Sequence, residues 1–67
     1  MKGFIEFTER ADGMKILYPI SGIKSVAEND DGRALIELDY SLKNNTIVFC
    51  SAESYEEVKE KIKQNEV

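Results

Sequence analysis

The sequence contains no histidine, no tryptophan and only one cysteine, Cys50, among its 67 residues. A single cysteine cannot form a disulfide within the chain, and without imidazole partners it cannot assemble a zinc site. Nucleophilic and general-base catalysis usually rely on histidine or on a paired nucleophile and base, and we find no such pair in the sequence. The composition therefore predicts a protein that is not an enzyme and that has no metal or other cofactor.

Long apolar runs and excess positive charge are also missing. No apolar run approaches the roughly 20 residues of a membrane span. Nine basic and thirteen acidic residues give a net charge of −4, and an acidic surface repels nucleic-acid phosphates. The N-terminus, Met1 to Glu6, reaches an acidic residue too early for a signal peptide. We therefore expect a cytoplasmic protein with no membrane contact, no evident small-molecule ligand and little affinity for nucleic acid.

Alternating apolar residues, separated by turn residues, predict five short strands. Asp12-Gly13 is a typical hairpin signal, and Asn29 to Gly32 is a second turn. Pro19 cannot donate to a strand ladder, so the second strand is expected to end there or to lie at an edge. The predicted strands cover residues 3–8, 14–18, 23–28, 33–40 and 46–50. The last of these is apolar on both faces, which favours a central or helix-covered strand.

A helix is predicted for residues 54–64. Ser54 and Glu57 match a capping box, in which each side chain accepts from the backbone N–H of the other residue. Tyr55, Val58 and Ile62 form one apolar stripe along the helix. Such a short stripe cannot stabilise an isolated helix, so the helix must pack on the sheet.

These elements predict a single α+β domain, mainly β, over residues 1–67. Consecutive strands with short connections favour an antiparallel five-stranded meander with the C-terminal helix packed on it. The glycines at the corners also allow the sheet to curl into a small barrel, and both arrangements remain open. The predicted core consists of Ile5, Phe7, Ile16, Tyr18, Ile23, Val26, Ile36, Leu38, Ile47, Phe49, Val58 and Ile62.

Several segments, which together extend over nearly the whole chain, match the pattern of one known family. They are Ile5-Glu6-Phe7-Thr8, Asp12-Gly13 with Ile16, the pair Ile23 and Val26 with Glu28, and the run Glu53 to Ile62. In these the chain resembles the FlbD-type flagellar proteins and their small uncharacterised relatives, many of them carried by phages and mobile elements. The connection from Tyr40 to Asn45 is longer than in that pattern, and Pro19 to Gly22 is less polar. The resemblance implies a link to motility in some members, but no biochemical activity and no functional residues.

The polar clusters all have ordinary structural explanations. Cys50 ends an apolar strand and is expected to be a buried, inert thiol. The spacing of Asp30 and Asp31 does not match a calcium-binding loop, so they are interpreted as a solvated turn. Glu37 and Asp39 alternate with apolar residues, which is typical of the polar face of a sheet. The lysines near the end of the helix are expected to form a solvated, mixed-charge face.

Some apolar residues fall on strand faces that otherwise look polar. These candidate partner-facing residues are Phe4, Leu17, Leu35, Tyr40 and Val48. Three explanations remain open for them: the helix covers part of the second face, a barrel interior is shared, or a partner protein buries the patch.

A protein-interaction module is the function that these features favour. Its partner would be another protein or a second copy, because a thin core and an exposed sheet edge both favour self-assembly. The alternative is a nucleic-acid-binding regulator of the small β-barrel type, in which Phe4, Tyr40 and Phe49 would stack on bases. The acidic charge balance argues against this alternative.

Overall fold

The computed structural model describes residues 2–42 and 45–66, and in residues 40–42 and 45–46 it describes the backbone alone. The elements are strands β1 to β5, a short 3₁₀ turn and one helix, α1. Their bounds are β1 Phe4–Thr8, β2 Lys15–Pro19, the 3₁₀ turn Ile20–Gly22, β3 Ile23–Glu28, β4 Arg33–Leu42, β5 Asn45–Ser54 and α1 Tyr55–Asn65. All strand pairs are antiparallel, so the predicted class of antiparallel strands with a C-terminal helix is confirmed.

The strands form two sheets rather than one continuous meander. β1 pairs with β2, while β3, β4 and β5 form a second sheet in that order. The expected pairing of β2 with β3 is interrupted at Pro19, where the chain enters the 3₁₀ turn and changes direction. The two sheets instead approach through β1 and β5, at an isolated bridge between Glu9 and Ser51. Within the described residues the strands do not close into a barrel, so that alternative was wrong.

The last two strands are longer than predicted. β4 continues to Leu42, and β5 continues to Ser54, the residue that begins the helix cap. Three residues of the turn expected at residues 41–45 belong to these strands, Ser41 and Leu42 to β4 and Asn45 to β5. The other two, Lys43 and Asn44, lie outside the described residues. β5 is also not the central strand of its sheet, because β4 occupies that place.

Glycine conformation explains the geometry of both described hairpin turns. Gly13 has a φ of 73° and donates its N–H to Glu9 O, closing a loop longer than the tight Asp-Gly turn suggested by the sequence. Gly32 has a φ of 85° and donates to Asn29 O at 3.0 Å. A turn followed by a residue in the left-handed region is common in three-residue hairpin loops and favours glycine.

A small core lies between the two sheets and the helix. Its buried apolar residues are Ile5, Phe7, Ala34, Ile36, Leu38 and Val58. All twelve residues of the predicted core are either in this cluster or packed against it. Ala34 and Ile20 also contribute, and neither was predicted.

A carboxylate joins β1 to β5 beyond the point where strand pairing stops. Glu53 accepts hydrogen bonds from the backbone N–H of Thr8 at 2.9 Å, from the Thr8 hydroxyl at 2.9 Å, and from the hydroxyl of the buried Ser51. Partial burial alone would raise the pKa of Glu53, but the hydrogen bonds from Ser51 and Thr8 outweigh it and hold the pKa below its ordinary value. These three residues, which we call the seam, fasten the hairpin to the larger sheet.

The rest of the outer edge of β1 is also covered. Lys61 of α1 donates from Nζ to Glu6 O at 2.8 Å, and Arg10 N donates to Cys50 O at 2.9 Å. At the start of the chain, Gly3 N donates to the backbone carbonyl of Asn65 in α1 at 2.6 Å. Edge strands left unpaired are prone to aggregation. Here the helix and β5 together protect the edge of β1.

The helix begins at the predicted cap. Glu57 N donates to Ser54 Oγ, and Ser54 N donates to a carboxylate oxygen of Glu57, both at 3.1 Å. Both halves of the capping box are therefore confirmed. The helix places Val58 in the core. Among the described residues, no helix combines the length and apolar character needed to cross a bilayer.

Ser54→Ala is expected to destabilise the protein by about 1 kcal/mol, because it leaves the Glu57 N–H without its cap. The matched control is Ser21→Ala, since Ser21 is an exposed serine in the 3₁₀ turn and has no side-chain hydrogen bond in the described part of the chain. Urea unfolding of both variants measures the difference. Equal midpoints for the two variants would show that the box does not stabilise the helix.

Candidate interaction surfaces

Two of the predicted partner-facing residues lie together on the outside of the β1–β2 hairpin. Cross-strand partners share a face of a sheet, so Ile5 with Tyr18 and Phe7 with Ile16 define the inner face. Phe4 and Leu17 belong to the opposite face, and they are 37% and 52% exposed. We call this pair the hairpin surface.

Another two lie on the outside of the three-stranded sheet. Ala27, Leu35 and Cys50 form a row across β3, β4 and β5, and Val48 follows on β5 in the next row. Val48 is 53% exposed, while Leu35 is partly buried. We call these four residues the sheet surface. Tyr40, the fifth predicted residue, has its side chain outside the described part of the structure.

A third apolar feature was not predicted. A groove of about 270 Å³ opens between the hairpin and the larger sheet. Its lining is almost entirely apolar and consists of Ile16, Tyr18, Leu38, Ile47 and Phe49. Alternation placed these residues correctly on inward faces, but it carries no information on whether another element covers them. No residue of α1 is among these lining residues.

A second groove lies between α1 and β3. Val26 and Ile62 contribute apolar side chains to it, together with Tyr55. The lysines Lys59 and Lys63 line the same groove, and Lys59 Nζ lies 5.9 Å from the centre of the Tyr55 ring. The remaining lining residue is Glu66. We call this the helix groove, and it differs from the first groove in its cationic lining.

Cys50 is partly exposed, which corrects the expectation of a buried thiol. Its register places it on the outer face of β5 rather than in the core. Arg10 Nη1 and Asn29 Nδ2 each lie 3.9 Å from its Sγ. The guanidinium of Arg10 also contacts Asp31 at 2.6 Å, so the cysteine lies beside an ion pair.

Two of the acidic residues singled out in the sequence, Asp31 and Glu37, have local partners. A hydrogen bond from the backbone N–H of Arg33, assisted by the guanidinium of Arg10, holds the pKa of the exposed Asp31 below its ordinary value. Glu37 accepts a hydrogen bond from the Ser25 hydroxyl at 2.8 Å. The described residues include no cluster of three or more side chains suited to binding a metal ion.

Two of the three aromatic residues proposed for base stacking, Phe4 and Phe49, do not share a surface. Phe49 points inward and contacts Phe7, with the ring centres 5.8 Å apart. Phe4 is on the hairpin surface, on the other side of β1. A stacking platform made from both rings is therefore not formed.

The comparisons with known proteins found no match, whether to protein-family models, to curated proteins or to solved structures.

Proposed function

We propose that this protein is a small non-catalytic module that acts by binding other protein surfaces, and that its simplest partner is a second copy of itself. The observation that carries the proposal is the exposure of Leu17 and Val48, each more than half accessible, within the hairpin and sheet surfaces. Leucine and valine gain free energy when buried, by about 25 cal/mol per Å² of apolar surface.

The arrangement of these residues also supports the proposal. Single exposed apolar side chains are ordinary in soluble proteins, whereas contiguous patches mark interaction sites. Leu35 and Cys50 lie opposite each other beside Val48, and Phe4 lies near Leu17. The exposed side chains are thus parts of two patches on different faces of the molecule.

The thermal midpoint provides the test. If two chains bind each other, the midpoint of the unmodified protein rises with protein concentration, because association stabilises the folded state by mass action. The double variant Leu17→Thr with Val48→Thr places a β-branched residue, which suits a strand, at both positions. It is expected to reduce the concentration dependence while changing the free energy of unfolding by less than about 0.5 kcal/mol at low concentration.

A control variant separates this effect from a general change of the surface. Lys15→Thr alters an exposed residue on the same outer face of β2 as Leu17, and it should leave the concentration dependence intact. A midpoint of the unmodified protein that is constant over concentration would contradict self-assembly.

The FlbD-type relationship is a second part of the proposal. It is supported by the resemblance of the sequence and not by any match from the comparisons. A structure determined for a FlbD-type protein tests it. We expect the same order of hairpin, 3₁₀ turn, three-stranded meander and capped helix, and a different order of strands would contradict the relationship.

A further inference from the structure

The free edge of β3 has hydrogen-bonding groups without partners. Asn29 N donates to Arg33 O at 2.7 Å. With the strand register, this bond identifies which alternate residues of β3 form backbone hydrogen bonds with β4. Ala27, two residues before Asn29, therefore directs its N–H and C=O toward β4, and Val26 and Glu28 direct theirs away. Among the described residues, no other backbone group is bonded to this outer edge.

A second free edge, on β2, is limited at one end. It ends at Pro19, which has no N–H to donate. β1 is covered by α1 and by β5, through Lys61 and Cys50. The outer edge of β5 is occupied only near its end, by the Glu9–Ser51 bridge and by Arg10 N, so it is also open in part. The edge of β3 is distinguished because its outward N–H and C=O groups, at Val26 and Glu28, lie beside a groove that contains two lysines.

The helix groove borders this edge. Val26 pairs with the buried Ile36, so its side chain lies on the inner face, where α1 packs. β4 occupies one side of β3, and the groove therefore opens on the other, unpaired side. Two lysines of the groove, Lys59 and Lys63, outnumber its single acidic lining residue, Glu66, and the one ion pair among the described residues lies elsewhere, between Arg10 and Asp31.

Glu28 supplies the complementary charge. It is exposed, and it pairs with the buried Ala34, so it lies on the same inner face as Val26. If two β3 strands pair antiparallel about Ala27, Val26 of one chain faces Glu28 of the other. Four backbone hydrogen bonds then form, and each Glu28 carboxylate reaches the helix groove of the other chain, beside Lys59 and Lys63.

We propose that a second copy of this chain pairs with the β3 edge in this register, giving a two-fold dimer with a continuous six-stranded sheet. The inference rests on the proposed function, since it names a second copy as the partner, and it adds a contact at the β3 edge that does not include Leu17 or Val48. This pairing also joins the sheet surfaces of the two chains into one apolar face, because their exposed Ala27 side chains meet at the two-fold axis. The small side chain of Ala27 leaves room for this contact.

Charge reversal tests the pairing. Glu28→Lys places a lysine beside the lysines of the other chain, and the double variant Lys59→Glu with Lys63→Glu places acids beside Glu28. Each is expected to weaken self-association at least about tenfold, measured as the concentration at half-dimerisation by light scattering. A mixture of the two variants restores both contacts in a mixed dimer, so its mass should return to that of the unmodified protein.

Amide hydrogen exchange gives an independent readout. The N–H groups of Val26 and Glu28 should become protected as the concentration of the unmodified protein rises. The Ala27 N–H, which is already bonded to β4, should be protected at all concentrations. In the Glu28→Lys variant Val26 should exchange rapidly, while Ala27 remains protected if the fold is intact.

The outcomes separate this inference from the proposed function. Undiminished self-association in both charge variants would overturn β3 pairing. In that case, loss of association in the Leu17 and Val48 variant would still support the proposed function. If the unmodified protein does not associate at all, both are overturned.

Discussion

Phe7→Ala is expected to leave most of the protein unfolded at room temperature. Phe7 is fully buried, and its ring contacts that of Phe49 in a tilted arrangement. Truncating a buried phenylalanine to alanine costs about 3–5 kcal/mol, from lost burial and the cavity that remains. A single core in a domain below about 70–80 residues rarely supplies more than about 3–5 kcal/mol of stability, so for a chain of 67 residues this loss approaches the whole stability.

The same strand offers a matched control. Phe4→Ala removes the same atoms from the outer face of β1, where the ring is 37% exposed. We expect a loss below about 1 kcal/mol for this variant. Circular dichroism and urea unfolding compare the stabilities of Phe4→Ala and Phe7→Ala. The variant Phe7→Leu retains part of the apolar volume, so it should remain folded with a stability between the other two. Equal losses for Phe4→Ala and Phe7→Ala would contradict the assignment of inner and outer faces.

Glu53→Gln is expected to destabilise the folded chain by about 1–3 kcal/mol, since hydrogen bonds to a charged acceptor are stronger than those to a neutral one. Both carboxylate oxygens of Glu53 accept hydrogen bonds, from Thr8 and from Ser51. Glutamine replaces one of these oxygens by an NH₂ group, so that a donor would face a donor. Glu6→Gln is the control, because Glu6 is an exposed acid on β1. Urea unfolding at neutral pH measures both variants.

The seam also predicts a pH dependence. The hydrogen bonds hold the pKa of Glu53 in the folded state below its ordinary value, which in the unfolded chain is about 4.3. Its contribution to stability is therefore complete above the unfolded pKa and is lost as the pH falls through the folded pKa. The unmodified protein should lose more stability than Glu53→Gln between neutral pH and about pH 3. Parallel pH profiles would show that the carboxylate does not stabilise the seam.

Local patterns in the sequence predicted much of the fold. Alternation identified most of the inward residues of the strands, as the packing of Ile5, Ile36 and Phe49 shows, although Ala34 was missed. The capping box at Ser54 was recognisable because both of its members lie within four consecutive residues. Such features depend on neighbours in the chain, so they can be predicted from spacing alone.

Features that depend on distant residues were missed. Glu53 binds Thr8, which is 45 residues away along the chain, and nothing in either segment indicates the other. Lys61 was interpreted as part of a solvated helix face, yet it donates to the backbone of Glu6. The division into two sheets also follows from which strands meet in space, although Pro19 indicated where one of them ends.

The candidate surfaces were predicted only in part. Residues that broke the alternation, such as Leu17 and Val48, were found because an apolar residue on a polar face is visible in the sequence. The helix groove combines Val26 with α1, and the free edge of β3 is defined by the absence of a neighbouring strand. Both depend on the packing of whole elements rather than on a residue pattern.

The absolute mass of the unmodified protein in solution tests the central claim of self-association most directly. Light scattering across a dilution series, from about 10 µM to about 1 mM, covers the range in which a small interface dimerises. We predict a mass that rises from the 7.6 kDa of one chain toward twice that value. A mass that remains at 7.6 kDa throughout would contradict the claim.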